Sequence, residues 1–377
     1  MNKTIKVLIP TVYPSHVAAI RSRLYPLFLV LAKEGFECTF LVLKDKDIQY
    51  TKYNKTHKGI KYETYDSYIG LIKKLVLLNR SKYDIVYSCK QYSLSALLPY
   101  IVSRLKGLPY VLDVDDSLFI ARKKFRFFLY TQEWLAQRLM MFLSPQVTVA
   151  SKQLITMWGK IVHYIPNSTD LEVFYKNPAL PNIIKERFQI EDTVIVWVAI
   201  FLYNLIDRDY PIDIFKELQG KGAKITLLVV GDGEELSYIK NKVKRLGLTN
   251  VVFTGQVSFE ELLQIYTYAD AGLLPLRDKL YDSCKGPIKL YEYMAMELPV
   301  IATPVGEAKH TITKANCGVF IPLYAPTKAA SIIIDLFSIP NRACEIGKMG
   351  RKYIETKNSF TKNALMLKNA LLYALKK

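Results

Sequence analysis

The residues with the clearest chemical potential sit in "KGPIKLYE", residues 285 to 292. Pro287 after Gly286 is a helix-start signal, because its fixed φ suits the first helical position and its missing N–H would have no partner there. The spacing predicts a helix over Pro287 to Glu297, entered from a flexible glycine. Such a helix start presents unpaired N–H groups and a partial positive charge, which favours a phosphate. Lys289 and Glu292 lie one turn apart on it. They are either a surface ion pair worth a few tenths of a kcal/mol or contacts to a ligand held at that helix start.

A second set of chemical groups closes the apolar run "YVLDVDD", residues 110 to 116: Asp113, Asp115 and Asp116. Asp115 and Asp116 can orient or deprotonate a hydroxyl, a shared pair needing one shifted pKa. Equally, they can cap the segment that follows. The turn "PTVYPSHVAAIRSRLYP", residues 10 to 26, offers Ser15, His16, Arg21 and Arg23. His57, His163 and His310 form no spaced cluster, so no metal site is expected. Gly231-x-Gly233 lacks a third glycine and reads as a tight strand-to-helix turn rather than a dinucleotide motif. "ARKKFRFFLYTQEWLAQRLMMFL", residues 121 to 143, interleaves Arg122, Lys123, Lys124 and Arg126 with Phe125, Phe127, Phe128 and Tyr130. That mixture suits an anionic membrane interface, or a core helix with a basic outer end.

The elements that must carry these groups alternate regularly. Apolar runs at 6–10, 38–43, 83–88, 110–115, 146–151 and 161–166 are separated by helical stretches such as 17–34 and 93–106. The pattern restarts at 193–200, 224–231, 250–255, 271–276 and 299–304. Short, nearly unbroken apolar strands joined by helices predict βαβ units and parallel sheets buried on both faces. The expected class is α/β, two doubly wound Rossmann-like domains facing across a cleft, with ligands at the carboxyl ends of the strands. The proline-containing stretch 175–192 places the boundary, giving an N-terminal domain over 1–180 and a C-terminal domain over 190–377. The last helix, about 355–377, is expected to pack back on the N-terminal domain.

A length of 377 residues exceeds the usual single core of about 250 to 300. With 50% hydrophobic and 23% charged residues the chain is globular rather than disordered. Residues 1–190 carry 28 Lys and Arg against 14 Asp and Glu, and 191–377 carry 24 against 20. The net +14 and +4 make +18, a field that draws anionic polymers or anionic lipid surfaces. The five cysteines are scattered without C-x-x-C spacing, which fits a reducing compartment. No signal peptide is apparent, and the apolar runs reach about half of the roughly 20 residues a membrane span needs. A cytoplasmic protein, peripheral at the inner face of the cell membrane, is expected.

The second half resembles glycosyltransferase family 4, whose members have the GT-B fold. The likeness runs through "VVGDGEE" (229–235), "NVVFTGQVSFEELLQIYTYADAGLLPL" (250–276) and "KGPIKLYEYMAMELPVIATPVGE" (285–307). It continues more weakly through "KVLIP", "GLPYVLDVDD" (107–116) and "HYIPNSTDLEVF" (163–174). The resemblance implies that the helix start at Gly286, Pro287 and Ile288 faces the diphosphate of a nucleotide sugar. It implies that Glu292 binds the ribose hydroxyls, by charge-assisted bonds of about 1.5 to 3 kcal/mol each, and that Lys289 contacts phosphate or sugar. Phe253 and Arg21 join the expected donor-binding residues.

Two departures from the family pattern concern the site. A glutamate that relatives carry eight positions before the one matching Glu292 is here Cys284, so Ser283, Lys285 or the backbone of Gly286 would have to recognise the donor sugar. Of the basic pair that stabilises the departing diphosphate, Ile200 stands near the first position, leaving Arg208 for the second. An Arg fork suits phosphate oxygens; a loop arginine paired with Asp207 or Asp209 is the plain alternative. Asp115 and Asp116 stand where relatives often have His-Asp, an acceptor position; as D-x-D they would be a metal site only in a different glycosyltransferase fold.

The implied activity is transfer of a sugar from a nucleotide diphosphate sugar to a saccharide or lipid-linked saccharide hydroxyl, with retention and no required cofactor, in cell-envelope or capsular polysaccharide synthesis. A nucleotide-sugar epimerase of the same fold, or an inactive nucleotide-binding scaffold, are the alternatives. A nucleic-acid partner is not expected, because no such motif accompanies the basic charge.

Overall fold

The protein is described here from a computed structural model covering residues 4–12, 20–44, 57–90, 93–116, 127–158, 161–202 and 206–376. It divides into two compact units. Unit one comprises Met1–Ser168, Cys284–Gly286 and Asn358–Lys377; unit two comprises Thr169–Ser283 and Pro287–Lys357.

Unit one is built on strands β1 (Ile5–Pro10), β2 (Phe36–Leu43), β3 (Ile60–Tyr65), β4 (Ile85–Cys89), β5 (Tyr110–Val114), β6 (Gln146–Val149) and β7 (Ile161–Tyr164). They form one parallel sheet in the order β3-β2-β1-β4-β5-β6-β7. The central strands β4, β5 and β6 are buried along their whole length, as expected for a sheet covered on both faces. Strand β3, "IKYETY", was not anticipated from sequence; it is an edge strand with several exposed positions. The helix Phe360–Leu375 packs on the helix Tyr25–Lys33 within this unit.

Unit two repeats the plan with β8 (Thr193–Val198), β9 (Ile225–Val230), β10 (Val251–Gly255), β11 (Ala271–Leu274), β12 (Val300–Ala302) and β13 (Gly318–Phe320). The order is β10-β9-β8-β11-β12-β13, again parallel. In each sheet the order reverses beside the first strand of the unit, between β1 and β4 and between β8 and β11. At such switch points the flanking connections diverge to opposite faces and leave a crevice at the strand ends.

One buried ion pair ties unit one together. Arg23 meets Asp113 with both ends of its fork, Nε to Oδ2 at 2.9 Å and one terminal nitrogen to Oδ1 at 2.8 Å. The other terminal nitrogen donates to the Ile165 carbonyl and to Asn167 Oδ1. Thr148 on β6 donates to Asp113 Oδ1 at 2.7 Å. Burial alone would raise the Asp113 pKa, but the charge and hydrogen bonds of Arg23 outweigh it and hold the carboxyl below its ordinary range. Asn167 in turn donates to the Gly286 carbonyl at 2.6 Å, and Ser151 to that of Cys284 at 2.8 Å. These two bonds fix the segment Cys284–Gly286 in unit one.

Asp113→Asn leaves the Arg23 guanidinium buried without a counter-charge and is expected to cost about 3–5 kcal/mol at neutral pH. Because the folded pKa of Asp113 is depressed, its contribution is complete above the unfolded value near ~3.9 and fades as pH falls through the folded one. The urea midpoint of the variant should therefore approach that of the wild type in acid; an equal deficit at pH 7 and in acid would contradict the ion-pair assignment.

Candidate functional site

In unit two the residues that could bind a ligand collect at the carboxyl ends of β8 and β11. A cavity of about 90 Å³ opens there, lined by Val198, Ala199, Asp207, Leu274, Leu276 and Asp282 among others. The helix Ile288–Ala295 lies on the core behind β11, with Leu290, Tyr291, Tyr293 and Met294 fully buried. Pro287 occupies the N-cap rather than the first helical turn, with ψ at 113°, so the helix begins at Ile288. No side chain caps this end. The helix is also shorter than its sequence suggested, because Glu297 adopts a left-handed backbone with φ at 54°.

Glu292 is 7% exposed. Tyr266, on the helix Phe259–Tyr268, donates its hydroxyl to Glu292 Oε2 at 2.8 Å, and Lys289 Nζ lies 2.9 Å from the same oxygen. Among the described residues both hydrogen bonds to this carboxylate fall on Oε2. Burial, then the nearby Glu292 charge, raise the Tyr266 pKa well above its ordinary value, so the phenol stays a proton donor. Lys289 is thus engaged by Glu292 in this state.

Arg208 precedes the helix Tyr210–Gly220. It bonds to Glu235 through one terminal nitrogen and lies over the Tyr238 ring at 3.9 Å, while Asp209 is 3.7 Å from its Nε. The turn that carries Glu235 is set by its glycines. A Cβ on Gly231 would meet the Ala199 carbonyl oxygen at 2.0 Å, and one on Gly233 the Phe201 oxygen at 2.4 Å. Only glycine lets the two backbones approach, and Phe201 then bonds to Asp232 and Glu235 through its own N–H and C=O. Phe253 packs from β10 against the core, with Lys240 Nζ 5.7 Å from its ring centre.

Cys284 lies elsewhere. Its side chain is fully buried in the core of unit one, 3.4 Å from the Met157 sulfur. Its thiol packs against neighbours, and Lys285 and Gly286 follow it in the anchored segment. Arg21 is half-buried in the wide turn Ile20–Leu24, whose fully buried cation is Arg23. Ser15 and His16 lie outside the described residues. So do residues 121–126 and the side chains of 127–134, which hold most of the basic and aromatic segment.

Asp115 and Asp116 stand just past β5 in unit one and meet a partner that sequence reading missed, Lys90, just past β4. Its Nζ lies 2.5 Å from Asp115 Oδ1 and 3.1 Å from Asp116 Oδ2. The signal was available in "YSCK", a cation at the carboxyl end of an apolar strand. Tyr266 and Glu235 were likewise not singled out. Among the described residues no group of three or more His, Cys, Asp or Glu could hold a metal.

Residues 190–353 match the family model of glycosyl transferases group 1, and the chain is a glycosyltransferase with the GT-B fold. It is 20% identical over 264 residues to the alpha-D-kanosaminyltransferase of Streptomyces kanamyceticus, covering 67% of either chain. To the 2-deoxystreptamine glucosyltransferase of the same organism it is 25% identical over 251 residues, 62% of this chain and 61% of that relative's length. Among solved structures, Anabaena HepE in complex with UDP superposes with a TM-score of 0.73 at 17% identity, covering 98% of this chain and 100% of that one.

Replacing Tyr266 by Phe removes one of the two donors to a buried carboxylate and should cost about 1.5–3 kcal/mol in a urea titration. A loss under about 0.5 kcal/mol, the scatter of ordinary surface substitutions, would mean that Tyr266 does not hold Glu292.

Proposed function

We propose that the chain transfers a sugar from a nucleotide diphosphate sugar to a hydroxyl of a saccharide, with family 4 as its branch and retention at the anomeric carbon. The observation that carries this reading is the buried Glu292 carboxylate one turn into an uncapped helix start. The free N–H groups at Ile288 and Lys289 suit a diphosphate. Glu292, held through Oε2, presents Oε1 to the ribose diol, where a charged acceptor is worth more than a neutral one. Arg208 stabilises the departing diphosphate on leaving its bond to Glu235, an exchange of one anionic partner for another. The UDP held by the HepE structure supports a uridine nucleotide as the first donor to test.

Asp115 and Asp116 serve the acceptor in this reading, one carboxylate taking a hydrogen bond from the attacking hydroxyl. A lipid-linked saccharide at an anionic membrane surface, as in cell-envelope or capsular polysaccharide synthesis, is the acceptor class we favour. The support is the exposure of Ile69 (66%), Leu77 (79%) and Leu105 (80%) on unit one, with Lys73, Lys74 and Arg104 near them in the sequence. Exposed apolar groups together with cations fit an anionic interface. No helix among the described residues is long and apolar enough to cross a membrane, so the contact would be peripheral.

Calorimetric titration with UDP, GDP, dTDP and CDP tests the donor site. One nucleotide should bind, and Glu292→Ala should weaken it at least about tenfold, or 1.4 kcal/mol. Binding that is unchanged in the variant would remove Glu292 from the site.

A further inference from the structure

Lys90 is anomalous on three independent counts. It is a non-glycine residue with φ at 66°, a left-handed conformation that costs free energy and persists only where its surroundings enforce it. Its surroundings do so: the Lys90 N–H donates to the Asp113 carbonyl at 2.9 Å, and the buried Ser95 hydroxyl donates to the Lys90 carbonyl at 3.0 Å. The side chain is buried, a placement that lysine rarely tolerates without a partner. Finally, one ammonium serves two carboxylates, Asp115 at 2.5 Å and Asp116 at 3.1 Å. The strained backbone thus aims a buried cation between two acids at the end of β5.

We propose that Lys90 is a positioning residue of the acceptor site, clamping Asp115 and Asp116 in fixed orientations and keeping the pair ionised for an incoming hydroxyl. This rests on the acceptor role given above to the two aspartates. Lys90 and the two aspartates together carry one net negative charge, −1 −1 +1; without Lys90 the adjacent carboxylates lose the opposite charge that favours their ionised forms, and like-charge repulsion raises their proton affinity. Among the described residues, the charged and titratable groups around Asp115 are Lys90 and Cys89 from the end of β4, Asp113 and Asp116 from β5 and its continuation, and Arg23 from the turn Ile20–Leu24. Burial pushes the Asp115 pKa up, Lys90 opposes that, and Asp116 and Asp113 add to the rise. Arg23 is committed to Asp113 by two hydrogen bonds, and among the described residues Lys90 is the cation that faces both acids at contact distance.

The test is a pH titration of the aspartate side-chain carbons by NMR, on the full chain labelled at aspartate, with Asp115→Asn and Asp116→Asn giving the assignments. Lys90→Met should raise the apparent midpoints of the pair by about one to three pH units, the size of effect an adjacent opposite charge exerts. Lys90→Arg should keep them near the wild-type values. Midpoints unmoved in a folded Lys90→Met chain, or moved as far by Lys90→Arg, would overturn the proposal. Should the Met variant not fold, Asp116→Asn alone decides: without the neighbouring carboxylate and with Lys90 retained, Asp115 should titrate lower than in the wild type, and an unchanged midpoint would overturn the assignment. UDP affinity, measured in parallel, reports the donor site of unit two separately. Normal titration shifts without nucleotide binding would count against the donor reading only, and nucleotide binding without the shifts against Lys90 only.

Discussion

Removing a carboxylate or an ammonium from water costs several kcal/mol per ion, so an ionised group at the end of a buried parallel strand persists only beside a counter-charge or strong donors. The same cost applies to buried acids on the neighbouring helices, and several acids of both units meet it with a partner. Asp113 is held by Arg23, Asp115 and Asp116 by Lys90, Glu235 by Arg208, Asp282 by Arg277 at 2.6 Å, and Glu292 by Tyr266 and Lys289. Helices cover both faces of a parallel sheet, so the carboxyl edge is where polar chemistry can gather. The ion pairs differ in kind. Arg23–Asp113 is sealed and doubly bonded, a structural device, whereas Arg208 and Lys289 keep substantial exposure and can exchange one anionic partner for another.

In the proposed reading that contrast separates scaffold from chemistry. A donor diphosphate needs cations and N–H groups that are loosely committed before it arrives, since a fully satisfied cation gains little by changing partners. Arg208 is paired with Glu235 and stacked on Tyr238 but about a third exposed, and in the proposed reading it leaves Glu235 for the diphosphate. Glu292 is held through Oε2 by Tyr266 and Lys289; in the proposed reading that preorganisation lowers the cost of binding the ribose. The glycines of the Gly231–Gly233 turn matter because they bring Glu235 to Arg208 through direct backbone contact with Ala199 and Phe201.

Much of this was legible in the sequence, for physical reasons. Strands such as β4, β5, β8 and β9 are continuous apolar runs because both of their faces are covered, and they stood out accordingly. Strands β3 and β13 did not, the first because an edge position leaves several residues wet, the second because three residues make no pattern. Gly286-Pro287 correctly announced a helix, but its length was misjudged since the left-handed turn at Glu297 has no glycine to signal it. Glu292 was visible as an acid near a helix start. Its partner Tyr266, 26 positions earlier, was not, because only the packing of two helices brings them together. Lys90 was missed for the same reason: only the pairing of β4 with β5 places "YSCK" beside "VDD". Arg23 and Arg21 looked equivalent in sequence, and the fold buried one of them.

The most direct measurement is a crystal structure of the full chain with UDP bound. The diphosphate should rest on the backbone N–H groups of Ile288 and Lys289, with both ribose hydroxyls on Glu292, Tyr266 still bonded to Oε2, and Arg208 turned from Glu235 toward the phosphates. UDP seated away from the Ile288–Ala295 helix start, or a Glu292 carboxylate making no contact to the ribose, would contradict the assignment of this strand-end site to the nucleotide sugar.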